Sequence, residues 1–411
     1  MANLLLFTNS YPSFEGEYFL DDEINIIANK FEKIYVLCFH ESDAKKHSRT
    51  LPNNLSVKNI SLEKDTANKL LKMRHIFNPI LIAEILTKAT SFKNINTLQK
   101  LKIGLDYFDK SKATFHEIEN FLVENNVKLK DTTLYSYWHD DKAMAIALLK
   151  QKNPAIKTIA RAHGWDVDYL RHIPPYLPFK YFMLAHLDHT VCISNEGQRI
   201  FNTLFKNKFE SKIAVSRLGK FNHRTPVFKK ENDAILICSC SNLISLKRIH
   251  LIIDLIASLN HKQIKWVHFG YGVLETVLKK YAKETLTAID FEFKGKALNE
   301  EILDFYTQNF VDLFINLSES EGIPVSIMEA QSAGIPVLAT NVGGTKEIVD
   351  SQNGFLIPKD FDMTEVATAI NQYLSSPDEV ISTKREKSYQ NWQTNYNAEI
   401  NYAKFADAIL T

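Results

Sequence analysis

The sequence predicts an α/β protein built from two successive units, each a parallel sheet alternating with helices. Three observations carry this reading. Short β-rich runs alternate with stretches of helical periodicity along the whole chain. The alternation restarts after the polar loop GKFNHRTPVFKKEND (219–233), which therefore reads as a linker. Finally, 411 residues with 45% hydrophobic content suit two or three domains with sizeable cores, and two units of similar size account for the pattern.

In the first unit NLLLFT, KIYVLCF, TLYSYW, IKTIAR, HTVCIS and KIAVSRLG read as strands, separated by helical stretches such as EYFLDDEINIIANKF and KATFHEIENFLVENN. In the second, AILICSCS, IKWVHFG, AIDFEFKG, VDLFINL, PVLAT and GFLIP are the strands. The expected domains are 1–220 and 221–388. Parallel sheets bind ligands beyond the carboxyl ends of their strands, so a site is expected where such ends of the two units meet.

Global properties exclude several classes. Lys+Arg and Asp+Glu nearly cancel to a net charge of +1, which gives no support to a polyanion-binding role. The sequence has no apolar run of spanning length, and MANLLLFTNSYP is too short in its apolar part for a signal peptide, so a cytoplasmic protein is expected. Cys38, Cys192, Cys238 and Cys240 lie in strand-like runs without a CxxC pair, which reads as buried free thiols rather than a metal site.

The stretch SESEGIPVSIMEAQSAGIPVLAT (318–340) concentrates the chemistry. VDLFINL is a buried strand, SESEG the loop at its carboxyl end, and PVSIMEAQSAG a helix with Pro324 in its first turn and Gly334 at its end. Glu321 then sits at the strand's exit beside the backbone N–H groups of Gly322 and Ile323, near the positive end of a helix. Glu329 lies one to two turns on, among apolar Ile327, Met328 and Ala330, so it is either partly buried with a partner or lining a pocket.

These residues carry a resemblance. The spacing Glu321-x7-Glu329, with AGIPVLAT, NVGGTKEIV and NGFLIP following in order, resembles the donor-nucleotide half of retaining GT-B glycosyltransferases of the family 4 type. TNSYPSFEGEYFLDDEI, RAHGWDV, SNLISLKRIHLIIDLI and HFGYG extend the likeness more weakly over the chain. The resemblance implies two Rossmann-like domains facing each other across a cleft, the first binding the acceptor and the second the nucleotide sugar. It implies a terminal helix, 389–411, crossing back to the first domain. The activity implied is metal-independent transfer, with retention, from a UDP- or GDP-linked donor to a bacterial surface glycan or glycolipid, with no other cofactor.

The implied roles fall on single residues. Lys247 matches the family's phosphate lysine. Asn242 stands where the family often has arginine, and Arg248 is the candidate to supply that charge. Glu329 resembles the residue that accepts bonds from the ribose hydroxyls, and Glu321 the one that contacts the transferred sugar. His163 is expected near the donor sugar. Gly16 is the single glycine where the family often has two approaching the phosphates. Glu17 and Glu23 read equally well as solvated acids at a helix start. Two other readings stand beside this one: a nucleotide-sugar epimerase on the same fold, and a non-catalytic scaffold of a polysaccharide assembly complex, for which Asn242 is the best support.

Other motifs carry less. Asp166 and Asp168 form a DxD, but after HGW rather than in a metal loop, and Gly270-Tyr-Gly272 lacks the rest of a dinucleotide fingerprint. Between Lys69 and Lys102 basic residues outnumber Glu84 and apolar residues recur at helical spacing. Two alternative readings follow from that: a peripheral helix on the inner membrane surface, or ordinary core helices with solvated lysines. Near the end, Trp392, Tyr396, Tyr402 and Phe405 recur at helical spacing.

Overall fold

The computed structural model describes residues 2–13, 17, 19–39, 49–62, 74–86, 95–231, 233–261 and 263–410. The chain divides into two compact units, residues 1–217 with 402–411, and residues 218–401. Each is organised around one parallel sheet.

The first unit holds seven parallel strands: β1 (Asn3–Thr8), β2 (Ile34–Cys38), β3 (Leu55–Asn59), β4 (Thr132–Ser136), β5 (Lys157–Ala162), β6 (His189–Cys192) and β7 (Ile213–Val215). Their order is β3-β2-β1-β4-β5-β6-β7. The run LLLF in β1 is apolar at every position because both faces of the sheet are covered. Leu5 and Phe7 pack on one side with Leu134, Phe108, Ile118 and Met144. Leu4 and Leu6 pack on the other with Tyr135, Ile24, Ile27 and Phe405. This is the two-residue period of a strand dividing one sequence between two cores. The helices are α1 (Leu20–Ile27), α2 (Pro79–Leu86), α3 (Thr97–Glu124), α4 (Asp141–Lys152), α5 (Gly164–Val167), α6 (Lys180–His186) and α7 (Asn195–Leu204). Two features went beyond the periodicity. Strand β3 is an edge strand with mixed exposure, so LSVKN carries little apolar signal. Helix α3 extends far N-terminal of KATFHEIENFLVENN, started by a reciprocal cap between Asn96 and Gln99.

The second unit holds β8 (Ile235–Cys240), β9 (Ile264–Phe269), β10 (Asp290–Gly295), β11 (Leu313–Asn316), β12 (Val337–Thr340) and β13 (Gly354–Ile357), in the order β10-β9-β8-β11-β12-β13. Its helices are α8 (Ile249–Ala257), α9 (Glu275–Thr285), α10 (Asn299–Gln308), α11 (Val325–Ser332), α12 (Met363–Leu374) and α13 (Asp378–Asn395). The strand order reverses between β8 and β11, and such sheets take ligands beyond the carboxyl ends of their strands at a reversal of this kind.

The stretch 219–233 is a strap of the second unit rather than a free linker. Arg224 pairs with Asp304 at 2.6 Å and Glu300 at 2.5 Å, Asn222 donates to the Ser332 carbonyl, and Lys230 reaches Asp312 at 2.6 Å. The C-terminal boundary also differs from the expected one. Helix α13 packs on the second unit: Ser388 donates to the Ile335 carbonyl, Trp392 Nε1 to the Lys220 carbonyl, and Tyr396 Oη to the Glu347 carbonyl. The chain breaks helix at Tyr396 and resumes as α14 (Ala398–Leu410). Only residues 402–411 return to the first unit, where the Phe405 ring lies 5.4 Å from Tyr135 and 4.1 Å from the Arg161 guanidinium. The four aromatics share a period but serve two cores.

Candidate functional site

In the second unit the chemistry gathers at the loops leaving β8 and β11. The loop after β8 tightens into a single turn, Ser245–Lys247, and passes through Arg248 at φ 47. This left-handed conformation is unusual for a residue with a Cβ. It is held because the Arg248 guanidinium donates to the carbonyls of Leu317 at 2.6 Å, Lys359 at 3.0 Å and Ser318 at 3.4 Å. Arg248 thereby ties the first loop to the second, and its donors are engaged with backbone. Asn242 is exposed in the same first loop.

Lys247 reaches the second loop, placing its ammonium 2.5 Å from Glu321 Oε1. Asn316, the last residue of β11, donates to the same oxygen at 3.3 Å and accepts from the Ser318 N–H. Burial pushes the Glu321 carboxyl up, but the Lys247 charge, together with hydrogen bonds from Lys247, Ser318 and Asn316, outweighs it and holds the group below its ordinary value. Glu321 is therefore an ionised carboxylate set between a cation and an amide. Glu319, two residues earlier, pairs with Lys359 at the surface.

Gly322 and Ile323 follow, and the Gly322 carbonyl accepts from the Gly344 N–H at 2.7 Å. A Cβ at Gly343, which sits at φ 54, would fall 1.9 Å from the Glu321 carbonyl oxygen, so NVGG supplies glycine where one loop must lie against another. Pro324 is the residue before the first turn of α11 rather than within it. Gly334, at φ 68, closes that helix, with the Ile335 N–H returning to the Ala330 carbonyl. Glu329 occupies the middle of α11 and is 3% exposed, so it is a buried acid rather than a solvated one. Its Oε1 accepts from Asn299 Nδ2 at 2.5 Å. Its charge adds to burial in raising the Cys240 thiol, which stands beside it at the end of β8.

The first unit has a second polar group where its own strand order reverses, between β1 and β4. Glu17 is buried, and its carboxylate accepts the N–H groups of Asn9 at 2.9 Å, Ser10 at 2.7 Å and Tyr11 at 2.5 Å, and also Trp138 Nε1. It shapes the loop after β1. Glu23 is likewise buried, 3.0 Å from Arg161 and bonded by Tyr135 Oη. Neither acid is solvated. Gly16 lies outside the described residues.

His163 leaves the end of β5 and is 7% exposed, ringed by Trp138 at 4.4 Å, Tyr137 at 5.0 Å and Phe19 at 6.0 Å. Its Nδ1 lies 3.6 Å from the Asp166 carboxylate, and its Nε2 is buried without a hydrogen-bond partner among the described residues. Asp166, the first acid of the DxD, accepts the backbone N–H groups of His139 and His163 and so organises this turn.

Three contributors carried no functional reading in the sequence: Asn316, Asn299 and Trp138 act through partners 5, 30 and 121 residues away in the chain. A polar residue closing the apolar strand LFIN was the one local signal, and it marked Asn316.

Residues 221–395 match the family model described as glycosyl transferases group 1. The group 1 segment is nearly the whole second unit and includes Asn242, Lys247, Glu321 and Glu329. The chain is 27% identical to the O-antigen biosynthesis glycosyltransferase WbnH of Escherichia coli over 61% of this chain and 68% of that one. It is 24% identical to the phosphatidylinositol N-acetylglucosaminyltransferase gpi3 subunit of Schizosaccharomyces pombe over 47% of this chain, and spans less than half of that relative's length, 43%. WcaL of Salmonella typhimurium, assigned to colanic acid biosynthesis, matches at 27% over 44% of this chain and 48% of its own.

Among solved structures, Anabaena Alr3699/HepE in complex with UDP superposes with a TM-score of 0.65 at 14% identity, covering 100% of both chains. The lipopolysaccharide outer core galactosyltransferase WaaB, in its apo form, gives 0.68 at 13% identity over 99% of both. The fold is GT-B, with parallel sheets of seven and six strands.

Proposed function

We propose that this chain is a retaining glycosyltransferase that moves a sugar from a nucleotide diphosphate donor onto a bacterial surface glycan or glycolipid, without a metal. The observation that carries the reading is the Lys247–Glu321–Asn316 cluster at the strand-order reversal of a group 1 domain, with Glu329 following in the same loop and helix. Departure of the nucleotide diphosphate builds negative charge on its terminal phosphate, and a fixed ammonium lowers the energy of that state. Lys247 supplies it, and Glu321 keeps the ammonium in place until the diphosphate arrives. Glu321, ionised, accepts hydroxyls of the transferred sugar, while Glu329 accepts those of the ribose. His163, whose Nε2 is unpartnered among the described residues and whose ring lies in an aromatic surround, is suited to a sugar hydroxyl. Asn242 leaves Lys247 as the cation of the β8 loop, because the Arg248 donors are held by carbonyls.

HepE is solved in complex with UDP and, in another structure, with UDP-glucose, which favours a uridine donor. WbnH is named for O-antigen biosynthesis, which favours a surface-polysaccharide acceptor. A peripheral contact with the cytoplasmic face of the membrane belongs to the same reading. Among the described residues no helix is long and apolar enough to cross a membrane. However, Phe77, Leu86 and Leu98 are exposed on the segment with the basic bias, as are Leu170 and Ile173 after the His163 turn. Lys69–Met73 and 87–94 of that segment lie outside the described residues.

The test is a panel of UDP- and GDP-sugars read by thermal unfolding, since a ligand bound only by the native state raises the midpoint. One donor class should raise it and then support transfer. No stabilisation by any nucleotide sugar would remove the reading.

A further inference from the structure

We infer that Asn299 is a positioning residue for Glu329, setting that carboxylate for a ribose diol and so for ribonucleotide over deoxyribonucleotide. The inference rests on the reading of Glu329 as the ribose-facing acid. Asn299 is the first residue of α10, where an asparagine ordinarily turns its side chain onto its own backbone. Here that competition is removed. The neighbouring Leu298 N–H is already taken by the Glu301 carboxylate at 2.7 Å, and Asn299 instead reaches α11, with Nδ2 2.5 Å from Glu329 Oε1.

The carboxylate needs such a partner. Glu329 is buried on a helix whose surroundings include the Cys240 thiol and the Tyr306 ring, both close enough for its charge to raise them further beyond the effect of burial. The terminal torsion of a glutamate is broad, so burial alone leaves the carboxylate plane loosely set. A donor fixed to one oxygen defines that plane and favours the ionised form. Preorganisation of this kind raises affinity by removing an ordering cost, and a site built for a hydroxyl discriminates against the analogue that lacks it.

The experiment is calorimetric titration of the full chain with UDP and 2′-deoxy-UDP, and with GDP and 2′-deoxy-GDP, for the native protein, Asn299→Ala, Glu329→Gln and the double variant. The ribo-to-deoxyribo affinity ratio of Asn299→Ala should fall by about fivefold to tenfold, the scale of one net hydrogen bond. Asn299→Ala should add nothing in the Glu329→Gln background, since coupled residues are non-additive. Asn299→Gln, which keeps the amide, should recover part of the ratio, and thermal unfolding confirms that each variant is folded. A native ratio in Asn299→Ala beside a lowered one in Glu329→Gln would overturn the positioning role while leaving Glu329 in place. A native ratio in Glu329→Gln, or no nucleotide binding by the native chain, would overturn the ribose reading and this inference with it.

Discussion

Glu321→Gln separates the ion pair that Glu321 makes with Lys247 from its proposed contact with the transferred sugar. The substitution keeps shape but removes the charge that faces Lys247 at 2.5 Å. Lys247 and Glu321 are 20% and 10% exposed, so the pair is mostly screened from solvent without being sealed from it. A hydrogen bond to a charged group contributes roughly 1.5–3 kcal/mol. Removing a buried charge returns part of its desolvation cost, and the Lys247 ammonium can relax toward solvent, so the net loss of stability should be about 1–2 kcal/mol. The pH profile carries a second signature. The folded carboxyl lies below its ordinary 4.5, so its contribution is present above that value and is lost as pH falls through the lower folded one. The variant should therefore lose less stability than the native chain on acidification.

Catalysis should respond more strongly than stability. Interactions made at the reacting end appear in turnover, so kcat should fall by about a hundredfold or more, while UDP affinity stays within about twofold. Urea unfolding across pH, nucleotide calorimetry and transfer rates read the three quantities. Glu319→Gln is the control, because its partner Lys359 is a surface pair whose loss should cost about 0.5 kcal/mol or less. Equal turnover in the two variants would refute the assignment of Glu321 to the sugar. An unchanged acid limb would refute the ion pair.

Glu329→Gln should do the reverse, weakening nucleotide binding by about 1–3 kcal/mol in calorimetry, and unchanged affinity would contradict a ribose contact. His268 is fully buried between Ser239 Oγ and the Ser241 carbonyl, and burial lowers it from 6.5 to about 4. The unfolded chain then binds a proton between those values that the folded chain does not. Stability should fall by about 3 kcal/mol as pH drops from 6.5 to 4, and His268→Gln should flatten that limb in urea unfolding. Truncation after Asn401 strips Phe405, Ala406 and Ile409 from the first-unit core while leaving α13 intact. It should cost that unit roughly 5 kcal/mol or more yet preserve nucleotide binding by the second, whereas truncation after Ser388 should damage both; identical unfolding of the two truncations would contradict this division.

Much of the fold is determined by local pattern. Strands buried on both faces must be apolar throughout, so LLLF, LFIN and VLAT declare themselves, and the polar interval before β8 marks where the second series begins. The spacing of Glu321 and Glu329 about a strand exit and a helix is legible for the same reason, since a short loop and a helix leave their separation little freedom. Edge strand β3 escaped this logic because an edge needs no two-sided apolar signal.

What only the tertiary structure decided is which polar groups meet. Sequence periodicity could not distinguish Glu23 or Glu17 from solvated helix-start acids, because their burial follows from Arg161, Tyr135 and Trp138, all distant in the chain. It could not reveal that the Arg248 donors are held by three carbonyls, or that Glu321 is shared by Lys247 and Asn316. Nor could it divide Trp392 and Tyr396 from Tyr402 and Phe405, since helical spacing reports a face and not the body it packs on. Hydrophobic burial is written residue by residue, because water is the same partner everywhere. Hydrogen bonds and ion pairs depend on distance and direction between two specific groups, and folding alone sets both.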